Sequence, residues 1–436
     1  MVAEVRVRKP RSRTSLRRRV YCLRPNEVLD QQKSLWHLMM LVSLLFLLNN
    51  RRPDLVAVRE TVRKGIYEKI QDLLELLCFI PRPIERGHWN LSFTTFANHE
   101  DIINLFFGLD SIDELRQVKL ALRLPDLVVV NDGSRNHHFS GEALLMYVLF
   151  RLRKKLGHEE AAVLLFGKDN SQWSRGFLYM VKFVASTWGR ALLNPAPWLR
   201  FLPAMNNAII ALGNELQDPQ NQVEWTNITC RICGFIDCSN FTSLRPGSGP
   251  LEPGIDASRR DNAHTIQRAF YQGRIYAHGI KYESVTLPNG MTAFLNGPYS
   301  ARQQDRYVTI DGDVDTIWYH MQMPNDLFFL FGDGIYIPGN VIRRKYHGAV
   351  PGTAEFATNL LMSKIRISNE HDFGLLKELF PYIAEKHNIL HQHNLYLPVL
   401  GFVLKNIFTA LHGNVISQRF KCPPPSLTEY IAMMNV

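Results

Sequence analysis

The spacing of apolar residues divides the chain into a helical first part and a mixed second part. From about residue 31 to residue 122 the apolar positions recur at helical spacing, most clearly at residues 62–78. Beyond residue 225, short β-prone runs alternate with turn signals such as Pro288-Asn289-Gly290. The pattern therefore predicts helical regions followed by a domain that mixes strands and helices.

Residues 139–187 predict three consecutive helices. The first follows Ser140, a candidate N-cap, and the others cover residues 158–165 and 172–186, with a glycine-containing turn at 166–168 between them. This layout is that of a helix-turn-helix, whose last helix enters the DNA major groove. The expected base contacts are Gln172, Ser174 and Arg175, and the expected phosphate contacts are Lys168 and Lys182. An ordinary helical bundle with a polar exposed face would show the same pattern.

The second part predicts a sheet with flanking helices. Strand-like runs cover residues 223–236, 274–286, 291–295 and 327–332, and helices cover residues 315–323 and 356–379. The order β-β-β-α-β-α, with acidic residues at strand ends, is typical of a ribonuclease-H-like core with a mixed sheet flanked by helices.

Three carboxylates in this part have contexts that suit a metal site. Asp237 ends an apolar run, Asp305 follows a strand-like segment, and Glu370 lies within the helix predicted at 356–379. Carboxylates at strand ends point into a cleft that a glutamate on a neighbouring helix can close, and such hard oxygen ligands suit two Mg²⁺ ions. Asp333 is either a further ligand or a turn-capping aspartate. The set predicts phosphodiester chemistry.

Charge is concentrated at the start of the chain. Residues 1–20 contain eight basic residues and one acid, Glu4, so that this segment carries +7 of the net charge of +10. Such a tail is typical of a nuclear address or a nucleic-acid-binding arm. A solvated disordered end and a mitochondrial presequence have similar compositions, and both stay open.

The most apolar stretch covers residues 35–48, about fourteen residues. A helix that spans a membrane needs about 20 residues, so the stretch predicts a buried helix and no membrane association.

A second candidate interface is basic and aromatic: Arg268, Arg274 and Lys281 alternate with Tyr271 and Tyr276. The basic side chains would attract phosphates and the tyrosines would stack on bases, although a solvated strand face is an alternative.

Five segments of the second part form an ordered set. They are Ile236-Asp237; Gln267 to Tyr271 followed by His278 to Lys281; Gly297-Pro298 with Arg302 and Asp305; Gly332-Asp333 with Tyr336; and Asn359, Met362, Arg366, Glu370 and Phe373-Gly374. Together they resemble the catalytic domain of Harbinger-type DDE transposases over about residues 235–380. That family also keeps a helix-turn-helix upstream of its catalytic domain.

The resemblance implies an endonuclease that nicks DNA at transposon ends and joins the freed 3′-hydroxyl to target DNA. It implies Asp237, Asp305 and Glu370 as catalytic and metal-binding residues, Asp333 as a further ligand, and two Mg²⁺ or Mn²⁺ ions per site. DNA is the implied partner. A separate DNA-binding partner protein, a homo-oligomer and a nuclear location are further expectations.

Pattern and resemblance together predict an α/β protein with four regions. These are a basic tail at 1–30, a helical N-terminal region at 31–135, a helix-turn-helix-like helical domain at 136–225, and a ribonuclease-H-like nuclease domain with C-terminal helices at 226–436.

The sequence departs from the family pattern next to two of the acids. Cys238 stands where the family usually has glycine, and Gln304 stands where it usually has histidine. Ala301 and Ile335 also replace small residues. Such changes suit a decayed or domesticated copy. The alternatives are therefore a transposase-derived DNA-binding protein without nuclease activity, and a helical scaffold whose carboxylates have no shared role.

Overall fold

The structure is a computed structural model that describes residues 92–96, 100–133, 135–166, 170–217, 231–246, 267–389 and 391–434. The basic tail, the apolar stretch at 35–48 and Lys168 lie outside the described residues, so the predictions made for them stay predictions.

The first part is helical with one small β-hairpin. Its elements are α1 (Glu100–Phe107), α2 (Ile112–Ala121), β1 (Leu127–Asn131), β2 (Asn136–Ser140), α3 (Gly141–Lys154), α4 (His158–Phe166), α5 (Asn170–Trp188) and α6 (Leu202–Leu216), with 3-10 turns at Phe93–Phe96, Ala191–Leu193 and Ala196–Phe201. The helices predicted after Ser140 are confirmed as α3, α4 and α5. Ser140 occupies the N-cap position of α3 without a side-chain cap bond, and the helix ends at Lys155, whose φ is +61°, before the predicted Gly157.

The hairpin was not predicted as a pair of strands. The sequence indicated only a turn at 131–133, and the structure places that turn at the tip of β1–β2. Gly133 has a φ of +90°, which favours glycine, and its N–H donates to the Asn131 side chain at 2.7 Å. The strands flanking the turn are only five residues each, which is why their alternation is weak in the sequence.

The second part combines a mixed sheet with flanking helices. Its elements are β3 (Ile232–Ser243), β4 (Tyr271–Gln272), β5 (Ala277–Thr286), β6 (Thr292–Ser300), α7 (Asp305–Asp311), α8 (Val314–His320), β7 (Phe329–Phe331), β8 (Ile342–Arg343), α9 (Ala354–Leu379), α10 (Gln392–Leu395), α11 (Leu397–His412), α12 (Val415–Arg419) and α13 (Leu427–Met434), with a 3-10 turn at Pro381–Ala384.

Strand β3 lies at the centre of the sheet. It pairs antiparallel with β5 and parallel with β7; β5 pairs antiparallel with β6 and β4, and β7 pairs parallel with β8. A mixed α/β domain with this sheet and flanking helices fits the ribonuclease-H-like arrangement that the sequence predicted. The short helix α7 and the strand β8 were not predicted.

Both parts share one continuous hydrophobic core. On the sheet side, α6 packs against β3, and the Asn206 amide donates to the Ile232 carbonyl at 2.9 Å. Among the described residues, the stretch His393–His412 is long and apolar enough to cross a membrane by length and composition, but 72% of it is buried within the protein. Packing in the core therefore accounts for its apolar character.

A buried ion pair joins helix α9 to helix α11 and to the sheet. Lys405 on α11 and Asp372 on α9 form a salt bridge, and both side chains are fully buried. Thr286 on β5 and Thr292 on β6 each donate a hydroxyl hydrogen bond to the same Asp372 carboxylate, at 3.1 and 2.9 Å. Because every charged group is paired and hydrogen-bonded, burial is tolerated, and α9 is held in one position over the sheet.

We expect Lys405→Met to destabilise the protein by about 3–5 kcal/mol, because it leaves the Asp372 carboxylate buried without a cation. Urea denaturation measures the change. The double variant Asp372→Asn with Lys405→Met removes both charges and should recover most of the loss. A single variant within about 1 kcal/mol of the wild type would contradict this role of the pair.

Candidate active site

Asp237 lies within β3, and Asp333 comes two residues after the end of the parallel strand β7. The sequence predicted Asp237 at a strand end, but β3 continues for six residues beyond it. In the pairing of β3 with β7, the last pair is Phe235 with Phe331. Because Asp237 and Asp333 each come two residues after this pair and parallel strands lie about 4.8 Å apart, both acids belong to the same region of the sheet. The Asp333 side chain is exposed and accepts a hydrogen bond from the Gly334 N–H at 2.6 Å.

Asp237 is largely buried. Its Oδ2 accepts a hydrogen bond from Arg366 Nη1 at 2.9 Å, and its Oδ1 accepts one from the Cys238 N–H at 2.9 Å. Burial raises the pKa of Asp237 to about 6, the Arg366 guanidinium lowers it in part, and the charge of Asp305 raises it further. A carboxylate that is costly to ionise in this way is stabilised by any additional cation placed next to it.

Helix α9 supplies the third acid. Thr353 caps its first turn, and the Asn359 side chain bonds both the N–H and the carbonyl of Tyr346, so that the helix is anchored before it reaches the edge. Arg366 donates through Nη2 to Glu370 Oε1 at 3.1 Å while Nη1 binds Asp237. A single guanidinium therefore joins a strand carboxylate to a helix carboxylate.

Asp305 lies beside this group but in a different setting. It is the first residue of α7, and its Oδ1 accepts a hydrogen bond from Lys281 Nζ at 2.6 Å. Lys281 is level with Asn240 on β3, whereas Asp237 is three residues earlier on the same strand. Because side chains alternate between the faces of a strand, Lys281 and Asp237 point to opposite faces of the sheet. Asp305 nevertheless lies close enough to raise the pKa of Asp237.

A fifth acid near the site was missed by the sequence analysis. Glu283 on β5 is fully buried; Thr309 of α7 donates its hydroxyl to one carboxylate oxygen, and the Asn296 amide lies 3.3 Å from the other. Burial raises the pKa of Glu283 to about 7, the hydrogen bonds from Thr309 and Asn296 lower it, and the charge of Asp305 raises it. The sequence did contain a signal for Glu283, because this acid lies inside the strand predicted at residues 274–286.

One comparison with known proteins found a match. A family model described as a DDE superfamily endonuclease matches residues 254–400, about a third of the chain. The match supports a DDE transposase-like family. The matched range contains Asp305, Asp333 and Glu370, whereas Asp237 precedes it. No curated protein and no solved structure matches the chain.

DDE endonucleases use divalent metal ions, and the donors at this edge suit them. Asp237, Asp333 and Glu370 offer carboxylate oxygens from three elements, which is the ligand chemistry that Mg²⁺ and Mn²⁺ prefer. The bound guanidinium of Arg366 shows that positive charge is stabilised between two of them. The chemistry of the donors therefore fits divalent cations, but among the described residues the donor atoms of Asp237, Asp333 and Glu370 do not all lie within 4.8 Å of one another. Arg366 occupies the space between Asp237 and Glu370.

Another group of metal-ligand type lies elsewhere. Among the described residues, Asp110, Glu114 and His412 have donor atoms that all lie within 4.8 Å of one another, and Asp237, Asp305 and Glu370 do not form such a group. The two ring nitrogens of His412 face different carboxylates, at 3.8 Å from Asp110 and 3.3 Å from Glu114. This arrangement suits a histidine that bridges two acids on the surface.

The residues predicted to read DNA lie on α5, next to the β1–β2 hairpin. Arg175 is bound by that hairpin through Asp132 at 3.0 Å and His137 at 3.1 Å, so its guanidinium is already engaged. Gln172 and Ser174 are partly exposed, and Lys182 is exposed. The side chains predicted as core are placed as follows: Trp173 and Phe177 are buried, and Phe183 is partly buried.

The basic and aromatic segment is divided by the structure. Arg268 and Arg274 are exposed together with Tyr276, whereas Lys281 is buried against Asp305. As it stands, the Lys281 ammonium faces a carboxylate inside the protein and is not part of the basic surface.

Glu283 gives a pH dependence whose sign follows from its raised pKa. Its ordinary value of 4.5 is raised to about 7, so the folded protein binds the proton more tightly than the unfolded chain. The stabilisation is complete below about pH 4.5 and is lost as the pH rises through about 7. Relative to wild type, Glu283→Gln should therefore gain about 3 kcal/mol of unfolding free energy between these two pH values, at about 1.4 kcal/mol for each pKa unit. Urea denaturation across the pH range tests this, and a constant difference would contradict it.

Arg366 generates a prediction about metal affinity. Because its guanidinium occupies oxygens of both Asp237 and Glu370, Arg366→Gln should strengthen Mn²⁺ binding about three- to tenfold, as expected when two partly exposed ion pairs no longer compete. Isothermal titration calorimetry measures the affinity. Lys364→Gln, an exposed position on the same helix, is the matched control. Weaker binding by the Arg366 variant would mean that Arg366 orients the acids and does not compete with the metal.

Proposed function

We propose that this chain is a metal-dependent DNA endonuclease of the DDE transposase type, related to the Harbinger group. The observation that carries the proposal is the link between two of the acids: Arg366 joins Asp237 on β3 to Glu370 on α9. Asp333 follows β7, the parallel neighbour of β3. The family match over residues 254–400 supports it independently.

Asp237, Asp305 and Glu370, the set that the sequence predicted, would hold Mg²⁺ or Mn²⁺, and Asp333 would be the further ligand. Divalent ions bound there supply a water or 3′-hydroxyl of lowered pKa and stabilisation of the leaving oxygen. The protein's own contribution is rigidity. The strand backbone fixes Asp237, and the buried pair of Asp372 and Lys405 fixes the helix that carries Glu370.

The proposed reaction is hydrolytic nicking of DNA at transposon ends, followed by attack of the freed 3′-hydroxyl on target DNA. Arg366 is placed to leave the acids and neutralise a phosphate when the site is loaded, because it is one helical turn from Glu370 and forms a planar fork that suits phosphate oxygens. A nuclear location, a homo-oligomer and a separate DNA-binding partner protein belong to the same proposal.

A second candidate function rests on the ion pairs in the site. Asp237 and Glu370 share Arg366, and Asp305 is bound by the buried Lys281. A site whose acids are already neutralised by the protein's own cations would suit a domesticated DNA-binding protein that cuts nothing. Calorimetry with Mn²⁺ separates the two functions, since the second predicts no binding at millimolar metal.

We expect Asp237→Asn and Glu370→Gln to abolish Mg²⁺-dependent nicking of supercoiled plasmid, with a loss of at least about a hundredfold, while DNA affinity stays within about twofold. Both substitutions preserve size and remove charge, so folding should be kept, as circular dichroism would verify. Undiminished nicking in both variants would remove these acids from the mechanism.

The contributions of Asp333 and Asp305 are separable. Asp333→Asn should lower nicking without loss of stability, because the Asp333 side chain is exposed and, among the described hydrogen bonds, accepts only one, from the neighbouring Gly334 N–H. Asp305→Asn leaves the buried Lys281 ammonium without its carboxylate, so it should also lower the melting temperature. Parallel nicking and melting measurements decide the roles. Wild-type nicking by the Asp333 variant would remove Asp333 from the ligand set.

A further inference from the structure

Strands β3 and β5 continue beyond the edge that carries the acids. Strand β7 ends two residues before Asp333, whereas β3 runs past Asp237 to Ser243, where it pairs with His278. The β4–β5 hairpin lies past this pair, with its turn at residues 273–276. The extension therefore projects from the side of the sheet on which the acids stand.

Among the described residues, the end of this extension is rich in positive charge. Four exposed arginines gather there: Arg245, Arg268, Arg274 and Arg302. The segments that carry them, residues 243–246, 267–280 and 298–304, contain no aspartate or glutamate. We call residues 268–278, with Arg245 and Arg302, the basic hairpin.

Specific contacts hold these segments together. Arg245 donates to the Gln267 side chain at 2.9 Å, and the Gln267 amide donates to the Pro246 carbonyl at 2.7 Å. The Ser300 hydroxyl bonds the Ala269 carbonyl, which brings Arg302 beside the hairpin. Glu385 is an acid close to this end of β3, because His387 two residues later forms a β-bridge with Ser243. Its carboxylate forms a salt bridge with Lys155 at 3.2 Å. These contacts therefore hold the segments that carry the four arginines next to one another.

The turn of the basic hairpin presents an aromatic side chain to solvent. Tyr276 is 85% exposed and has a φ of +49°, in the left-handed region that turns the chain back into β5. Ile275 beside it is 41% exposed. The arginines have no acidic neighbours in their segments and would attract a polyanion. The exposed tyrosine offers a ring on which a flat apolar group can pack. Nucleic acid provides both the phosphate charge and the flat bases.

The distance to the acids fits one DNA duplex. Ser284 is level with Asp237, and eight residues separate it from Tyr276. At about 3.3 Å per residue they span about 26 Å. B-DNA rises about 3.4 Å per base pair, so a duplex with a phosphodiester at Asp237 would reach the turn about eight base pairs away.

We propose that the basic hairpin binds duplex DNA about six to eight base pairs from the phosphodiester held at the acids. The arginines contact phosphates, and Tyr276 packs against the sugar or base edge. The inference rests on the proposed function for the position of the cut, but binding by the hairpin is measurable without any cutting.

The test uses the full chain and a fluorescein-labelled duplex of about 30 base pairs in EDTA. Tyr276→Ala should weaken binding about five- to tenfold, and Tyr276→Phe should bind like wild type. The triple variant Arg268→Ala, Arg274→Ala, Arg302→Ala should reduce the slope of log affinity against log salt by about three. The matched control replaces three exposed arginines of the helical part, Arg116, Arg123 and Arg200, and should leave the slope unchanged.

The spacing is tested by nicking of an end-labelled linear duplex in Mg²⁺. Wild-type nicks should be depleted within about eight base pairs of an end, where the hairpin finds no duplex, and the Tyr276→Ala variant should lose this depletion. If the hairpin variants bind DNA with the affinity and salt dependence of the wild type, the inference is wrong, and a protein partner becomes the expected ligand of this surface. Reduced affinity with no nicking by any variant, wild type included, would support the hairpin and reject the nuclease.

Discussion

The buried ion pair between Asp372 and Lys405 is the interaction on which the arrangement of the site depends. It lies two residues from Glu370 and bonds both neighbouring strands β5 and β6 through threonine hydroxyls. A charged pair in the core is stable only when all of its partners are in place, so it permits one position of α9 and penalises others. That position is the one in which Glu370 stands over the sheet edge that carries Asp237.

Charge balance is the second constraint on the site. Several acids near one strand end would repel one another, and the structure relieves this with two internal cations on opposite faces of the sheet. Arg366 is shared by Asp237 and Glu370, and Lys281 is bound to Asp305. Burial, and to a smaller extent the charge of Asp305, still raises the pKa of Asp237 and of Glu283. The edge is therefore a place where additional positive charge, from a metal ion, is favourable.

Much of the architecture was predictable because it rests on local chemistry. The long helices around Glu370 and after Ser140 follow from apolar spacing over several turns, which few other patterns imitate. The predicted strand-like runs overlap β3, β5, β6 and β7, whereas the two-residue strands β4 and β8 were not predicted and the sequence did not indicate that β3 extends to Ser243. The β1–β2 hairpin and α7 were missed because five- to seven-residue elements carry too little periodicity to stand out.

The sequence by itself determined that the chain contains a mixed sheet, acidic residues in or after its strands, and a glutamate on a late helix. Only the tertiary structure decided how these acids group. Strand pairing places β3, which carries Asp237, parallel to β7, which precedes Asp333, and the alternation of faces turns the cation that binds Asp305 away from Asp237. Lys281 is buried instead of exposed for the same reason. Register and facing depend on which strands pair, and this is a property of contacts between residues far apart in the chain.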